Sequence, residues 1–90
     1  MNAKNNQLEF NMHFNQLRKI INSWELIPGA PIDEFDALNH KVLSQLIQGT
    51  DFMEIKKVIE HELTQYYGLV FREFNSQEII NQISEWWINK

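Results

Sequence analysis

Residues 51–68, DFMEIKKVIEHELTQYYG, decide how this chain folds. Phe52, Ile55, Val58, Ile59, Leu63, Tyr66 and Val70 recur at steps of three and four. A helix turning every ~3.6 residues carries such positions on one face. Lys56, Lys57, Glu60, His61 and Gln65 fill the opposite side. Asp51 is a suitable N-cap, and Glu54 stands where a capping-box carboxylate reaches back to the cap amide. Gly49 before the stretch and Gly68 after it bring the positive φ that ends helices. The spacing therefore predicts a helix over 51–67, with Tyr66 on its apolar face and Tyr67 at the rim.

A single amphipathic helix needs further helices to cover it, and the flanking sequence provides them. Upstream, Asp33 is the expected N-cap of a helix over 33–48, with Asp36 at its third position and Phe35, Leu38, Val42, Leu46 and Ile47 as its stripe. Asp33, Glu34 and Asp36 crowd its first turn, where the helix dipole favours negative charge. Before it, ELIPGAP (residues 25–31) forbids a continuing helix through Pro28, Gly29 and Pro31. Phe10, Phe14, Leu17, Ile20, Ile21 and Trp24 mark a helix over 7–24. Residues 1–6 read as a frayed polar tail.

Downstream, LVFREF (residues 69–74) is irregular and is read as an ordered loop or a short helical turn. Asn75, Glu78, Phe74 and Ile79 then supply the cap, the capping box and the staple of a helix over 76–89, with Ile80, Ile83, Trp86 and Trp87 following. Four amphipathic helices on short connections predict an all-α, antiparallel four-helix bundle, one domain over residues 7–90.

Composition excludes several classes of function. The formal charge is −4, and ten of the twelve acidic residues lie beyond Pro31. Such a chain lacks the basic footprint of a nucleic-acid binder. A helix-turn-helix reading of 33–67 fails because Asp51, Glu54, Glu60 and Glu62 outweigh Lys56 and Lys57 beside any phosphate. No apolar run approaches the ~20 residues of a membrane span, and the first residues have no signal-peptide core. The expected location is the cytoplasm, in keeping with a chain that has no cysteine.

Catalytic and metal motifs are missing from the sequence. His13, His40 and His61 fall on three different expected helices, and HELTQ lacks the second histidine of the zinc motif. There is no thiolate, no nucleophile elbow, no phosphate loop and no calcium-loop spacing. No metal, cofactor or catalytic residue is therefore expected. What stands out is large aromatics in adjacent pairs, Tyr66–Tyr67 and Trp86–Trp87. Neighbours on a helix point about 100° apart, so one of each pair is expected to meet solvent. Exposed tyrosine and tryptophan anchor protein interfaces.

The segment FNQLRKIINSWELIPGAPIDEFDALNHKV (residues 14–42) resembles the small uncharacterised bacterial helical family typified by YugE. The likeness lies in a helix ending on a tryptophan turn and an acidic-aromatic start to the next, here Trp24 to Pro28 and Glu34, Phe35 and Asp36. Glu25 stands where that family has aspartate, and the proline falls two places late. This resemblance implies a fold and no activity. In size, charge and helix order the chain is also similar to the immunity proteins of DNase colicins. Tyr66, Tyr67 and the closing SQEIINQISEWW carry that likeness, although Gly68 stands where those proteins have proline. It implies that Asp33, Glu34, Asp36, Tyr66 and Tyr67 face a partner.

The sequence thus predicts a non-catalytic module that binds a protein partner, a basic one by charge. Its site would be Asp33, Glu34, Asp36, Tyr66, Tyr67, Trp86 and Trp87, and an immunity or inhibitor role is the sharpest version. The alternatives are a homodimer joined through the exposed tryptophan strip, and an enzyme or small-ligand carrier with a pocket lined by Trp24, Phe35 and Tyr66.

Overall fold

The computed structural model of the chain describes residues 3–90, with side chains from residue 7 onward. The fold is all-α. Among the described residues there are four α-helices and no strand: α1 (Ala3–Ser23), α2 (Asp36–Ile47), α3 (Phe52–His61) and α4 (Ser76–Asn89). A π-helical turn (Glu62–Tyr66) continues α3, and a 3₁₀ turn (Phe71–Glu73) precedes α4. None of these helices is long and apolar enough to cross a membrane. The chain divides into two compact units, Met1–Leu43 and Ser44–Lys90, with the boundary inside α2.

In the first unit, α1 begins at Ala3, four residues before the expected start. Residues 3–6, read as tail, are helical because Ala and Lys are good helix formers and propagation from an existing helix costs little. Met1 and Asn2 lie outside the described residues. The C-terminal end of α1 tightens through bonds from Trp24 N–H to Ile21 O and Glu25 N–H to Asn22 O. Glu25 then takes a left-handed conformation, φ +49°, which is uncommon for a side chain with a Cβ. Pro28 and Gly29 (φ +82°) follow as the centre of a turn closed from Ala30 N–H to Ile27 O.

Helix α2 starts three residues later than its expected cap. The Glu34 N–H bonds to Pro31 O and the Asp36 N–H to Asp33 O, so residues 31–36 spend their donors on consecutive tight turns. The first helical bond runs from Asn39 N–H to Phe35 O at 2.8 Å. Asp36 is consequently free of capping duty. Its carboxylate instead receives Nε and Nη2 of Arg18 in a bidentate pair.

That pair, Asn22 Nδ2 on Ile32 O (2.8 Å) and Asn39 Nδ2 on Phe14 O (2.9 Å) pin α1 against α2 in antiparallel register. The Phe10 ring reaches His40 in the same sense. Leu17, Ile21, Phe35, Leu38, Val42 and Leu43 are buried in this unit. Asn39 is fully buried among them, and its Oδ1 has no partner.

In the second unit, α2 closes on a Schellman motif. The Thr50 N–H reaches Gln45 O and the Gly49 N–H reaches Leu46 O, with Gly49 at φ +79° as expected. Ile47, expected in the stripe, is half exposed. It lies roughly 110° from the centre of the buried face, and Leu43 takes the place assigned to it.

Asp51 caps α3 by accepting from Met53 N–H at 2.7 Å. Glu54, expected to complete a capping box, turns outward to Lys57. Asn75 caps α4 by accepting from Glu78 N–H at 3.0 Å, while the Glu78 carboxylate accepts from Gln82. Lys56 Nζ to Gln77 Oε1 and Ser76 Oγ to Glu60 Oε2 (2.6 Å) tie the start of α4 to α3. Leu46, Ile55, Ile59, Leu63, Leu69, Ile79, Ile80 and Ile83 are the buried apolar residues of this unit.

The orphaned Asn39 oxygen sets a test. Leaving a buried acceptor unpaired costs about 1–3 kcal/mol, more than the ~1 kcal/mol a single amide bond returns. Asn39→Leu is therefore expected to leave the melting temperature unchanged or raise it. Asn39→Asp, which buries a charge and removes the donor, is expected to lower stability by about 3 kcal/mol or more at neutral pH. Chemical denaturation of the two variants checks both signs.

Candidate functional site

The acidic turn and the paired aromatics belong to different units. In the first unit, Asp33 and Glu34 are exposed, while Asp36 is half-buried and held by Arg18. Arg18 also lies over the Phe14 ring, 5.5 Å from its centroid. Its pKa is raised, chiefly by the hydrogen bond to Asp36. Partial desolvation opposes the rise, and the charges of Asp36 and Asp33 add to it. Since the raised value belongs to the folded state, this contribution is fully present at neutral pH and is lost as the pH rises into strong alkali. Asp36 thus serves the clamp, while the Asp33 and Glu34 side chains lie at the surface.

In the second unit, the tyrosines exchange the places expected of them. Tyr66 is 69% exposed and Tyr67 is half-buried. The cause is the π turn. Tyr67 N–H bonds to Glu62 O at 3.1 Å, five residues back, where an α-helix would reach back four. One extra residue in the turn rotates everything after it by about 100°, so Tyr67 inherits the inward position of Tyr66.

The Thr64 hydroxyl supports the widened turn by donating to Glu60 O at 2.8 Å. Leu69 N–H then closes on Leu63 O at 2.9 Å across Gly68, whose φ of +72° a residue with a Cβ resists. Past that closure Leu69 points in, and Val70 and Phe71 point out, Phe71 at 63% exposure.

A reciprocal clasp holds Phe71 there. Val70 N–H donates to Glu73 Oε1 and Glu73 N–H donates to Val70 O, both at 2.9 Å. The Tyr66 and Tyr67 rings meet edge to face, 4.9 Å between centroids, and Phe71 leans on Phe74 at 5.7 Å. Sequence reading put Val70 on the apolar face because it carried an unbroken α-helical phase past Thr64, and it left Phe71 in an irregular loop without a surface role. The irregular run LVFREF was the available signal.

Both tryptophans are half-buried, with ring centroids 5.7 Å apart and planes tilted by 55°. Relative to Ile83 at the centre of the buried face, Trp86 lies about 60° to one side and Trp87 about 40° to the other. Neither ring fills the centre, and neither is fully outside.

Each unit carries a concavity. The first, about 400 Å³, is framed by the α1–α2 connection, with Glu25 its ionisable group and Phe35 at its floor. Of the residues expected to line a carrier pocket, it includes Phe35 but neither Trp24 nor Tyr66. The second is a shallow groove along residues 71–77. Among the described residues, no group of three or more His, Asp or Glu side chains is arranged to hold a metal ion. No family model, curated protein or solved structure matches the chain. What the protein does is therefore read from its own surfaces.

The π turn makes the tyrosines unequal. Tyr66→Ala is expected to change stability by no more than about 0.5 kcal/mol. Tyr67→Ala, which removes a half-buried ring, is expected to cost about 1–2 kcal/mol. Equal costs, or the reverse order, in urea melts of the two variants would show that the helix keeps its α phase through Tyr66.

Proposed function

We propose that this protein is a non-catalytic binding module that grips a basic protein partner. The rings of the second unit, Tyr66, Tyr67 and Phe71 before α4 and Trp86 and Trp87 at its end, make the adhesive contact. Asp33 and Glu34, with the acidic excess of the chain, draw the partner in. An immunity or inhibitor role, holding a basic toxin or enzyme inactive, is the sharpest form of this reading. It is the role implied by the likeness to the colicin immunity proteins.

The exposure of Tyr66 and Phe71 carries the proposal. Large apolar side chains in water contribute nothing to folding. Here the backbone closure from Leu69 to Leu63 and the Val70–Glu73 clasp hold them outward, already ordered before any partner arrives. Preordered aromatic anchors lose little entropy on binding, which is why such residues dominate interface energetics. A homodimer is the second reading, favoured by Ile88, which is 69% exposed beside the tryptophans. An apolar strip of this kind pairs with itself about a two-fold axis.

Affinity capture from native extract, followed by kinetics with the captured partner, tests the proposal. The variant Tyr66→Ala/Phe71→Ala is expected to lose about 2 kcal/mol of binding or more, mainly through faster dissociation. Asp33→Asn/Glu34→Gln is expected to slow association and flatten its salt dependence while leaving dissociation unchanged. A partner held equally well by both variants would remove the reading. Sedimentation over a wide concentration range separates the homodimer, whose mass would rise with concentration and fall back in the Trp87→Leu variant.

A further inference from the structure

The connector between α1 and α2 frames the cavity of about 400 Å³ in the first unit. Small-molecule sites occupy roughly 300–1,000 Å³ and combine apolar walls with a few polar groups. The apolar walls here are Ile21, Leu26, Ile27 and Ile32 with Pro28 and Pro31. Glu25 is the one ionisable residue of the lining, and it is exposed where Ile21 and Phe35 are buried. Among the described residues no cation is paired with its carboxylate. The other polar groups of the wall are weighted toward acceptors. Pro28 and Pro31 have carbonyls and no N–H. The Ala30 N–H is spent on Ile27 O at 3.1 Å, and Asn22 donates Nδ2 to Ile32 O at 2.8 Å. Glu25 also keeps the left-handed backbone, φ +49°, that glycine takes more readily.

We infer that the α1–α2 connector forms a binding site for a small organic cation, an ammonium group on a compact apolar body, with Glu25 as the counter-charge. The carboxylate accepts from the ammonium, and a charge-assisted bond of this kind is stronger than a neutral one. The aliphatic walls cover the body and remove its apolar surface from water. Other ligand classes fit the lining less well. A hard metal ion needs several oxygen ligands, and a single carboxylate stands here. An anion meets the charge of Glu25 and a wall short of free donors. A neutral apolar molecule would draw the carboxylate out of water with nothing to pair it. The volume also exceeds what one extended lysine stem fills, which favours a free molecule over a side chain of a bound protein. Every lining residue belongs to the first unit, so the site stands or falls independently of the partner-binding rings of the second.

The site is tested with the full chain and 2-phenylethylammonium as the probe, read by backbone amide resonances in two-dimensional NMR. Gly29, Ala30 and Ile32 are expected to shift saturably, while Tyr66 and Phe71 stay in place. N-acetyl-2-phenylethylamine keeps the body and loses the charge, and it is expected to bind about fivefold more weakly. Methylammonium keeps the charge and loses the body, and a similar loss of about fivefold or more is expected. Glu25→Gln is expected to weaken the charged probe about fivefold and to bind it no better than the acetylated one. Glu25→Gly suits the φ of +49° and is expected to melt higher while losing the same preference, which separates lost binding from lost folding. No saturable response to 2-phenylethylammonium, equal affinity for the charged and acetylated probes, or unchanged binding in Glu25→Gln would each overturn the site. Tighter binding of Nα-acetyl-lysine amide than of 2-phenylethylammonium would assign the cavity to a protein side chain and overturn the free-ligand reading.

Discussion

The backbone bond from Leu69 N–H to Leu63 O, spanning the π turn and Gly68, governs the face that the second unit presents. It is a wider version of the closure that ends α2, where Thr50 reaches Gln45 across Gly49. In both cases a glycine reverses the chain and the last carbonyls of the helix find donors. The extra residue in the π turn alters the phase of everything that follows. Leu63 and Leu69 end on the inside and Tyr66, Val70 and Phe71 on the outside. The Val70–Glu73 clasp and the Asn75 cap then carry the chain into α4 with its donors occupied. Single-turn π insertions of this kind recur where a helix must place a particular side chain.

The first unit uses polar pins for a different purpose. Apolar faces slide past one another at little cost, because the hydrophobic effect has no direction. Arg18 on Asp36, Asn22 on Ile32 O and Asn39 on Phe14 O each permit a single alignment of α1 and α2. Asn39 is the costly member, since its buried oxygen is left unpaired. A buried asparagine that trades stability for register is known from coiled coils, and the same exchange accounts for this one. Arg18 is the inexpensive member, with its guanidinium over the Phe14 ring and its charge partly in water.

These two devices leave the surfaces of the units with different characters. The first exposes carboxylates at the turn before α2, and the second exposes rings before α4 and at its end. Carboxylates act at a distance and govern encounter, whereas rings act at contact and govern residence. In the proposed function the carboxylates draw the basic partner in and the rings hold it.

Much of the fold was legible in the sequence. Helix number and type, the Asp51 and Asn75 caps, and the stops at Gly49 and Gly68 all follow from local rules, because a cap or a left-handed glycine depends on a few adjacent residues. The aromatic pairs were legible as interface candidates for the same reason. The start of α2 was not: a run of turns after Pro31 competes with helix at nearly equal local energy, and Asp36 is drawn to Arg18, far away in the chain. The phase of the tyrosines was not legible either. A π turn costs local hydrogen-bond geometry, and it persists where burying Leu63, Tyr67 and Leu69 together returns more than the distortion takes. By itself the sequence determined an all-α chain of four capped helices and which residue types would meet solvent. Only the tertiary structure decided which tyrosine faces out, which carboxylate is taken by an arginine, and that Lys90 stands over the Trp87 ring. Those outcomes depend on distances between residues that local propensity does not encode.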